Sequence, residues 1–297
     1  MITIIVNANQ TYQTIDNFGA SDAWSFQFLG NWPEAKKEAI ADLLFSTDTT
    51  SAGQPKGIGL SLWRYNLGAG SAQQGNQSGI KDEWRRAESF LDANGNYNFD
   101  KQASQTWFLK AAKSRGVDKF LGFFNSPPIP FTKNGKAFSS DGFSNISEKS
   151  YPAFSHYIAE SLKGIMQKTG ILFDYVSPVN EPQWDWKDGG QEGNPYTNSE
   201  IYALVKSLND TLSAQKLSTK ISVTEAGQLD YLIGAKDKPS RGSQIDAFFN
   251  PKSPTFIGNL SNVKSVVDGH SYFTTSPYAK AVEIRKQLQK KTSANNI

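Results

Sequence analysis

Six short apolar runs, each followed by a stretch with helical spacing of its apolar residues, alternate along almost the whole chain. A short apolar run bounded by turn residues reads as a buried strand, and apolar residues recurring every three to four positions read as a helix. Strands are expected at 15–20, 57–67, 117–124, 171–179, 220–224 and 263–267. Helices are expected at 33–44, from a cap at Asp100 to just before Gly116, at 151–167, from Thr197 onward, at 244–249 and at 276–290. Pro33 suits a first helical turn, and Thr197 with Glu200 has the spacing of a capping box. Regular alternation of this kind demands a parallel sheet covered by helices. Two architectures satisfy it, an open doubly wound sheet and a (β/α)8 barrel. The open sheet is favoured by a glycine-rich phosphate loop after the first strand. Gly68-Ala69-Gly70 follows the second strand instead and lacks a third glycine. The polar residues that stand out all fall just after strands, which is where barrel active sites lie.

Composition removes several functional classes. There are no cysteines among the 297 residues, so disulfides and thiolate metal sites are excluded. His156 and His270 are the only histidines and form no HExxH pattern, so neither a metal nor a cofactor is expected. No apolar run approaches the ~20 residues of a membrane span. The basic run 285–291 closes an expected helix, where it reads as a solvated face rather than a nucleic-acid contact. Residues 1–6 are too short and lack the basic flank of a signal peptide. They read as a strand.

The densest chemical signal is Asn180-Glu181-Pro182, at the end of the fourth strand, with Trp184 and Trp186 just beyond. A carboxylic acid at a barrel strand's C-terminal end, beside aromatic rings, suits a glycosidase proton donor. The spacing alone equally fits a turn carboxylate before proline. Such a donor must stay protonated near neutral pH, through burial or a neighbouring negative charge. The two indoles offer either a stacking platform for sugar faces or a lid over the barrel top. Arg64 and Asn66 alternate on the second strand and share one face. His270 and Tyr272 repeat that spacing after the sixth.

The surrounding motifs extend this pattern. Residues 13–24 (with Asp22 and Trp24), 59–71, Asn125-Ser126-Pro127-Pro128 with Lys133-Asn134-Gly135, 178–184 and Gly269-His270-Ser271-Tyr272 together resemble glycoside hydrolase family 30, nearest its endo-β-1,6-galactanase-like branch. The resemblance implies a (β/α)8 catalytic barrel over 13–297, with about six units present. Residues 1–12 would then be a strand of a side β-domain. It implies that Glu181 is the acid/base, and that Asn180 bonds a sugar 2-hydroxyl. Arg64 would hold the nucleophilic carboxylate ionised, a structural ion pair being the alternative. Tyr272 would bond that nucleophile, and Asp22 and Trp24 would hold the sugar. The turn 125–128 is expected to give shape and to contain a cis peptide.

Enzymes of that family take their nucleophile from a Glu after strand seven, which is expected beyond Ile297. Glu225, after strand five, is the substitute within this chain, with a substrate contact or a structural role as alternatives. The implied activity is retaining hydrolysis of a β-linked polysaccharide, best β-1,6-galactan. Hydrolysis of xylan or β-glucan and non-catalytic glycan binding stand as alternatives. A glycan substrate and a secreted or periplasmic setting follow from the resemblance.

Overall fold

The computed structural model describes residues 3, 5–295 and 297. Among the described residues, five strands form one sheet: β1 (Gly19–Ser21), β2 (Leu62–Asn66), β3 (Lys119–Phe123), β4 (Tyr175–Ser177) and β5 (Lys220–Ile221). Every pairing is parallel and the spatial order is the chain order, β1-β2-β3-β4-β5. A doubly wound sheet reverses its order at a switch point. This one does not, so the open alternative falls and the barrel-like α/β arrangement stands.

Among the described residues, nine α-helices accompany the strands: α1 (Phe26–Leu29), α2 (Glu34–Phe45), α3 (Ser71–Gln74), α4 (Ala103–Ser114), α5 (Tyr151–Thr169), α6 (Asn198–Ala214), α7 (Leu229–Ile233), α8 (Gln244–Phe249) and α9 (Tyr278–Ala294). The Thr197–Glu200 capping box opens α6 as expected, and Gly170 in the left-handed region (φ 73°) ends α5. The N-terminus of α4 departs from expectation. Its cap position is Gln102, not Asp100, and the exposed Asp100 carboxylate pairs with Lys168. The Glu88 carboxylate accepts the Gln102 N–H at 2.6 Å, doing the work expected of the Asp100 side chain.

Strands are shorter than the apolar runs suggest, because their outer residues pack without joining the ladder. The sixth expected strand, 263–267, is the extreme case. It touches the β5 segment through isolated parallel bridges, Ile221 to Val263 and Ala226 to Gly269. Between them the Val266 N–H turns back to Lys264 O, and the Asp268 N–H donates to Thr224 Oγ1. Local and side-chain acceptors therefore replace a ladder there.

The alternation of β2 explains where core and site separate. Trp63 and Tyr65 are fully buried on the helix side, and Trp63 meets Phe26 and Phe45 edge-on at 4.9 and 5.0 Å. Truncating a buried aromatic of this kind costs about 3–5 kcal/mol. Arg64 and Asn66 face the opposite way, toward the sheet's inner side.

Residues 1, 2 and 4 of the expected N-terminal strand lie outside the described residues. Thr3 and residues 5–18 form no strand, and Ile5, Val6 and Tyr12 are about four-fifths exposed or more. Among the described residues, no helix is long and apolar enough to cross a membrane.

Candidate active site

The C-terminal ends of β1 to β4 and the segment after Gly269 converge on a cleft of about 320 Å³. Its lining includes Trp24, Arg64, Asn125, Asn180, Glu181, His270 and Tyr272. Residues more than two hundred positions apart thus meet because each ends a neighbouring strand.

One imidazole ties the centre together. His270 Nδ1 lies 2.5 Å from Glu181 Oε1, and Nε2 lies 3.0 Å from Glu225 Oε2. Arg64 Nη2 donates to Glu225 Oε2 at 2.9 Å and to Asn180 Oδ1 at 2.8 Å. The guanidinium sits over the Phe123 ring, with Cζ 3.3 Å from the ring centroid. The chain of bonds continues inward: Asn180 Nδ2 to Asn125 Oδ1 at 3.0 Å, and Asn125 Nδ2 to Asn66 Oδ1 at 3.1 Å. It ends on Asp22, which accepts the Asn66 N–H at 2.7 Å and Gln105 Nε2 at 2.9 Å. Buried polar groups are stable only when satisfied, and a connected network fixes every member.

Charge follows from this geometry. Burial disfavours the Glu225 carboxylate, but Arg64 and His270 outweigh it and bring its pKa down to about 2. Burial likewise opposes the His270 cation, yet its bonds to Glu181 and Glu225 carry it up to about 9. Asp268, beside them, is pushed up to about 7 by burial and then by the charge on Glu225. Asp22 rises to about 7 through burial, against the bonds from Gln105 and Asn66.

The backbone is strained at both carboxylates. Glu181 (φ 46°), Thr224 (φ 105°) and Glu225 (φ 41°) all sit at positive φ without being glycine. Each such residue costs about 1–3 kcal/mol and persists only where its surroundings over-determine it. Here the Glu181 N–H donates to Glu225 O at 2.8 Å, and Thr224 Oγ1 donates to Asp268 O at 2.6 Å. These bonds hold the two turns together and aim both carboxyls at His270.

Several expected contacts are corrected. Asp22 is fully buried beneath the cleft with both oxygens engaged, so it braces Asn66 rather than a sugar. Asn66 is also buried and reaches the cleft only through Asn125. Trp184 and Trp186 do not line the cleft. Trp184 packs edge-on against Tyr231 at 5.9 Å and leans on Gly227, where a Cβ would meet its Nε1 at 2.5 Å. Trp186 Nε1 donates to Glu181 O at 3.1 Å, bracing the turn that carries the acid. Tyr272 lines the cleft, 56% exposed, with its ring 5.6 Å from His270. The cis peptides among the described residues are Ala23–Trp24 and Ser276–Pro277, neither within 125–128. Glu181 is buried, and the charged group beside it is the His270 ring, a cation where a negative neighbour was expected.

Sequence reasoning missed Ser21, Ala23, Arg85, Phe123 and Gln191, which complete the lining. Phe123 alone carried a signal, since it falls near the end of the third expected strand, 117–124, as Arg64 does near the end of the second.

The profile of O-glycosyl hydrolase family 30 matches residues 1–297. The chain belongs to glycoside hydrolase family 30. A family relative, the endo-beta-1,6-galactanase of Hypocrea rufa, is 26% identical over 247 residues, covering 78% of this chain and 50% of that protein. A crystal structure of a conserved exported protein from Bacteroides fragilis superposes with a TM-score of 0.92 at 35% identity, over 98% of this chain and 60% of that one. An endo-beta-1,6-glucanase superposes at 0.64 with 17% identity, over 95% and 56%, a likeness of fold alone. The chain spans about half the length of the curated relative it matches.

Proposed function

We propose that this family 30 chain serves retaining hydrolysis of a β-linked polysaccharide, with β-1,6-galactan as substrate and Glu181 as acid/base. The observation that carries the reading is the His270 ring held between Glu181 and Glu225, with Arg64 on the second carboxylate. The galactanase relative supports the choice of glycan. In this reading the barrel closes to eight strands, residues 1–12 belong to a side β-domain, and the protein is secreted or periplasmic.

The short Nδ1 contact supplies the acid's proton. Moving the imidazolium proton from Nδ1 to Glu181 Oε1 turns a carboxylate and a cation into a neutral acid and a neutral ring. Net charge is unchanged, and Nε2–H still donates to Glu225. Glu181 then protonates the glycosidic oxygen as the C1–O bond breaks, while a carboxylate attacks C1 and forms a glycosyl ester. In the second step Glu181 takes a proton from water, which hydrolyses the ester with overall retention. Asn180, fixed by Arg64 and Asn125, donates to the sugar 2-hydroxyl.

The nucleophile is proposed to be a Glu outside residues 1–297. A second reading assigns it to Glu225, favoured by its pKa of about 2 and the Arg64 bond at 2.9 Å. Trapping the ester with an activated 2-fluoro galactoside and mapping the labelled peptide separates the two. Label on Glu225 establishes the second reading; label elsewhere removes it. Release of reducing ends from β-1,6-galactan but not from xylan or β-1,3-glucan tests the substrate. Binding of galactan with no turnover by the whole protein would favour a glycan-binding role instead.

A further inference from the structure

Glu192 is fully buried and stays out of the cleft that its neighbour Gln191 lines. Three donors converge on its carboxylate. Oε2 accepts the Ala69 N–H at 2.9 Å, and Oε1 accepts the Ser71 N–H at 3.2 Å and the Ser71 hydroxyl at 2.6 Å. Ser71 Oγ in turn accepts the Ala87 N–H at 3.0 Å. The stretch Gly68-Ala69-Gly70-Ser71 after β2, too sparse in glycine for a phosphate loop, thus holds an anion supplied by the chain itself. Burial raises the Glu192 pKa to about 7 against those bonds. Each partner donates, so the ionised carboxylate is the form this pocket satisfies.

What Glu192 fastens reaches the proton donor through one indole. The next residue, Gly193, donates its N–H to Ala137 O at 2.9 Å and has Trp186 against it, since a Cβ there would meet Trp186 Cδ2 at 2.3 Å. Trp186 Nε1 donates to Glu181 O at 3.1 Å. Glu181 (φ 46°) and Trp186 (φ 49°) both sit at positive φ, a conformation that persists only where the surroundings over-determine it. The Ala69 carbonyl accepts the Ile129 N–H at 3.0 Å, so the loops after β2, β3 and β4 share this anchor.

We propose that Glu192 is a positioning residue for the proton donor. Its carboxylate ties the loop after β4 to the loop after β2, Gly193 then backs the Trp186 indole, and the indole sets the Glu181 turn. The proposal rests on the reading of Glu181 as acid/base, and it gives Glu192 no contact with substrate. Glu192→Gln keeps the size of the side chain but turns one oxygen into a donor facing donors. The loop then shifts, and Glu181 moves away from the glycosidic oxygen.

The test compares kcat/KM for β-1,6-galactan, whose leaving group needs a proton, with that for a dinitrophenyl β-galactoside, whose leaving group does not. Assays of the whole protein at about pH 8 keep wild-type Glu192 ionised. Glu192→Gln should lose about tenfold or more on galactan, as a small misplacement of a catalytic group does. On the aryl sugar it should lose less than about threefold, because that bond breaks without the acid. Ser71→Ala removes one of the three donors and should show the same selective loss on a smaller scale, which keeps the assignment open to test should Glu192→Gln fail to fold. In a Trp186→Phe background, Glu192→Gln should add little further loss on galactan, since both act through one route. Equal loss on both sugars, no loss in either variant, or a loss that adds in full to that of Trp186→Phe overturns the proposal. Glu181→Ala is the control for the reading beneath it: if that variant also loses equally on both sugars, the acid/base assignment fails and this proposal with it.

Discussion

Replacing His270 by Gln removes the imidazole that bonds both the Glu181 and the Glu225 carboxylates. Bonds to those carboxylates raise the His270 pKa from 6.5 to about 9 in the folded chain, against the opposing effect of burial. That rise, at about 1.4 kcal/mol per tenfold change in proton affinity, corresponds to about 3 kcal/mol of stabilisation by the charged ring. The side chain keeps 22% of its exposure, so solvent trims the figure toward about 2 kcal/mol. The folded state binds the proton more tightly than the unfolded one. The contribution is therefore fully present below about pH 6.5 and is lost as pH rises through about 9. For a chain of 297 residues the unfolding entropy is near 0.6 kcal/mol per degree, so about 2–3 kcal/mol is a shift of about 3–5 °C. Melting curves of wild type and His270→Gln at pH 6 and pH 10 read it directly. The variant should melt about 3–5 °C lower at pH 6 and within a degree of the wild type at pH 10. An equal deficit at both pH values would refute the charged bridge and leave His270 as a packing residue.

Other perturbations separate braces from contacts. Trp186→Phe removes the bond to Glu181 O and should slow hydrolysis several-fold while leaving KM for galactan little changed; a pure rise in KM would restore the indole to a sugar platform. Trp184→Ala should lower the melting temperature by several degrees, since its ring fills the space above Gly227 and against Tyr231; unchanged melting with weakened oligosaccharide binding would contradict that. Asp22, with its pKa raised to about 7, holds a proton in the folded state that the unfolded chain has lost, so stability falls between about pH 4 and pH 7. Asp22→Asn should flatten that fall in urea titrations, and a slope unchanged from wild type would show Asp22 ionised throughout.

Much of this site was legible because it obeys local rules. The strict alternation of β2 put Arg64 and Asn66 on one face, opposite Trp63 and Tyr65, before any coordinate was needed. The Asn180-Glu181 turn followed from an apolar run ending at proline. What the sequence concealed depends on turns and distance. Arg64 and Glu225 are 161 residues apart, and the positive φ at Thr224 and Glu225 rotates a carboxylate inward from a position where an extended strand gives no such direction. Hydrophobicity could not tell Trp184 and Trp186 as supports from the same residues as a platform, since an indole does either. The 263–267 run reads as a strand by its valines, yet Thr224 and a local turn take the backbone bonds a ladder needs. Arg85 lies on a loop with no periodicity, so only the fold brings it to the cleft.

The central claim is that Glu181 delivers and recovers the proton, and one kinetic comparison bears on it most directly. Glu181→Ala should lose on the order of 10²-fold or more in kcat/KM on β-1,6-galactan, whose leaving group needs protonation, the usual scale of general acid–base catalysis. It should lose far less on an aryl galactoside with a good leaving group. Added azide should restore turnover of that aryl substrate and yield the β-galactosyl azide, because a small anion attacks the ester without needing a general base. Undiminished hydrolysis of galactan by the variant, or rate loss equal on both substrates with no azide product, would contradict the assignment.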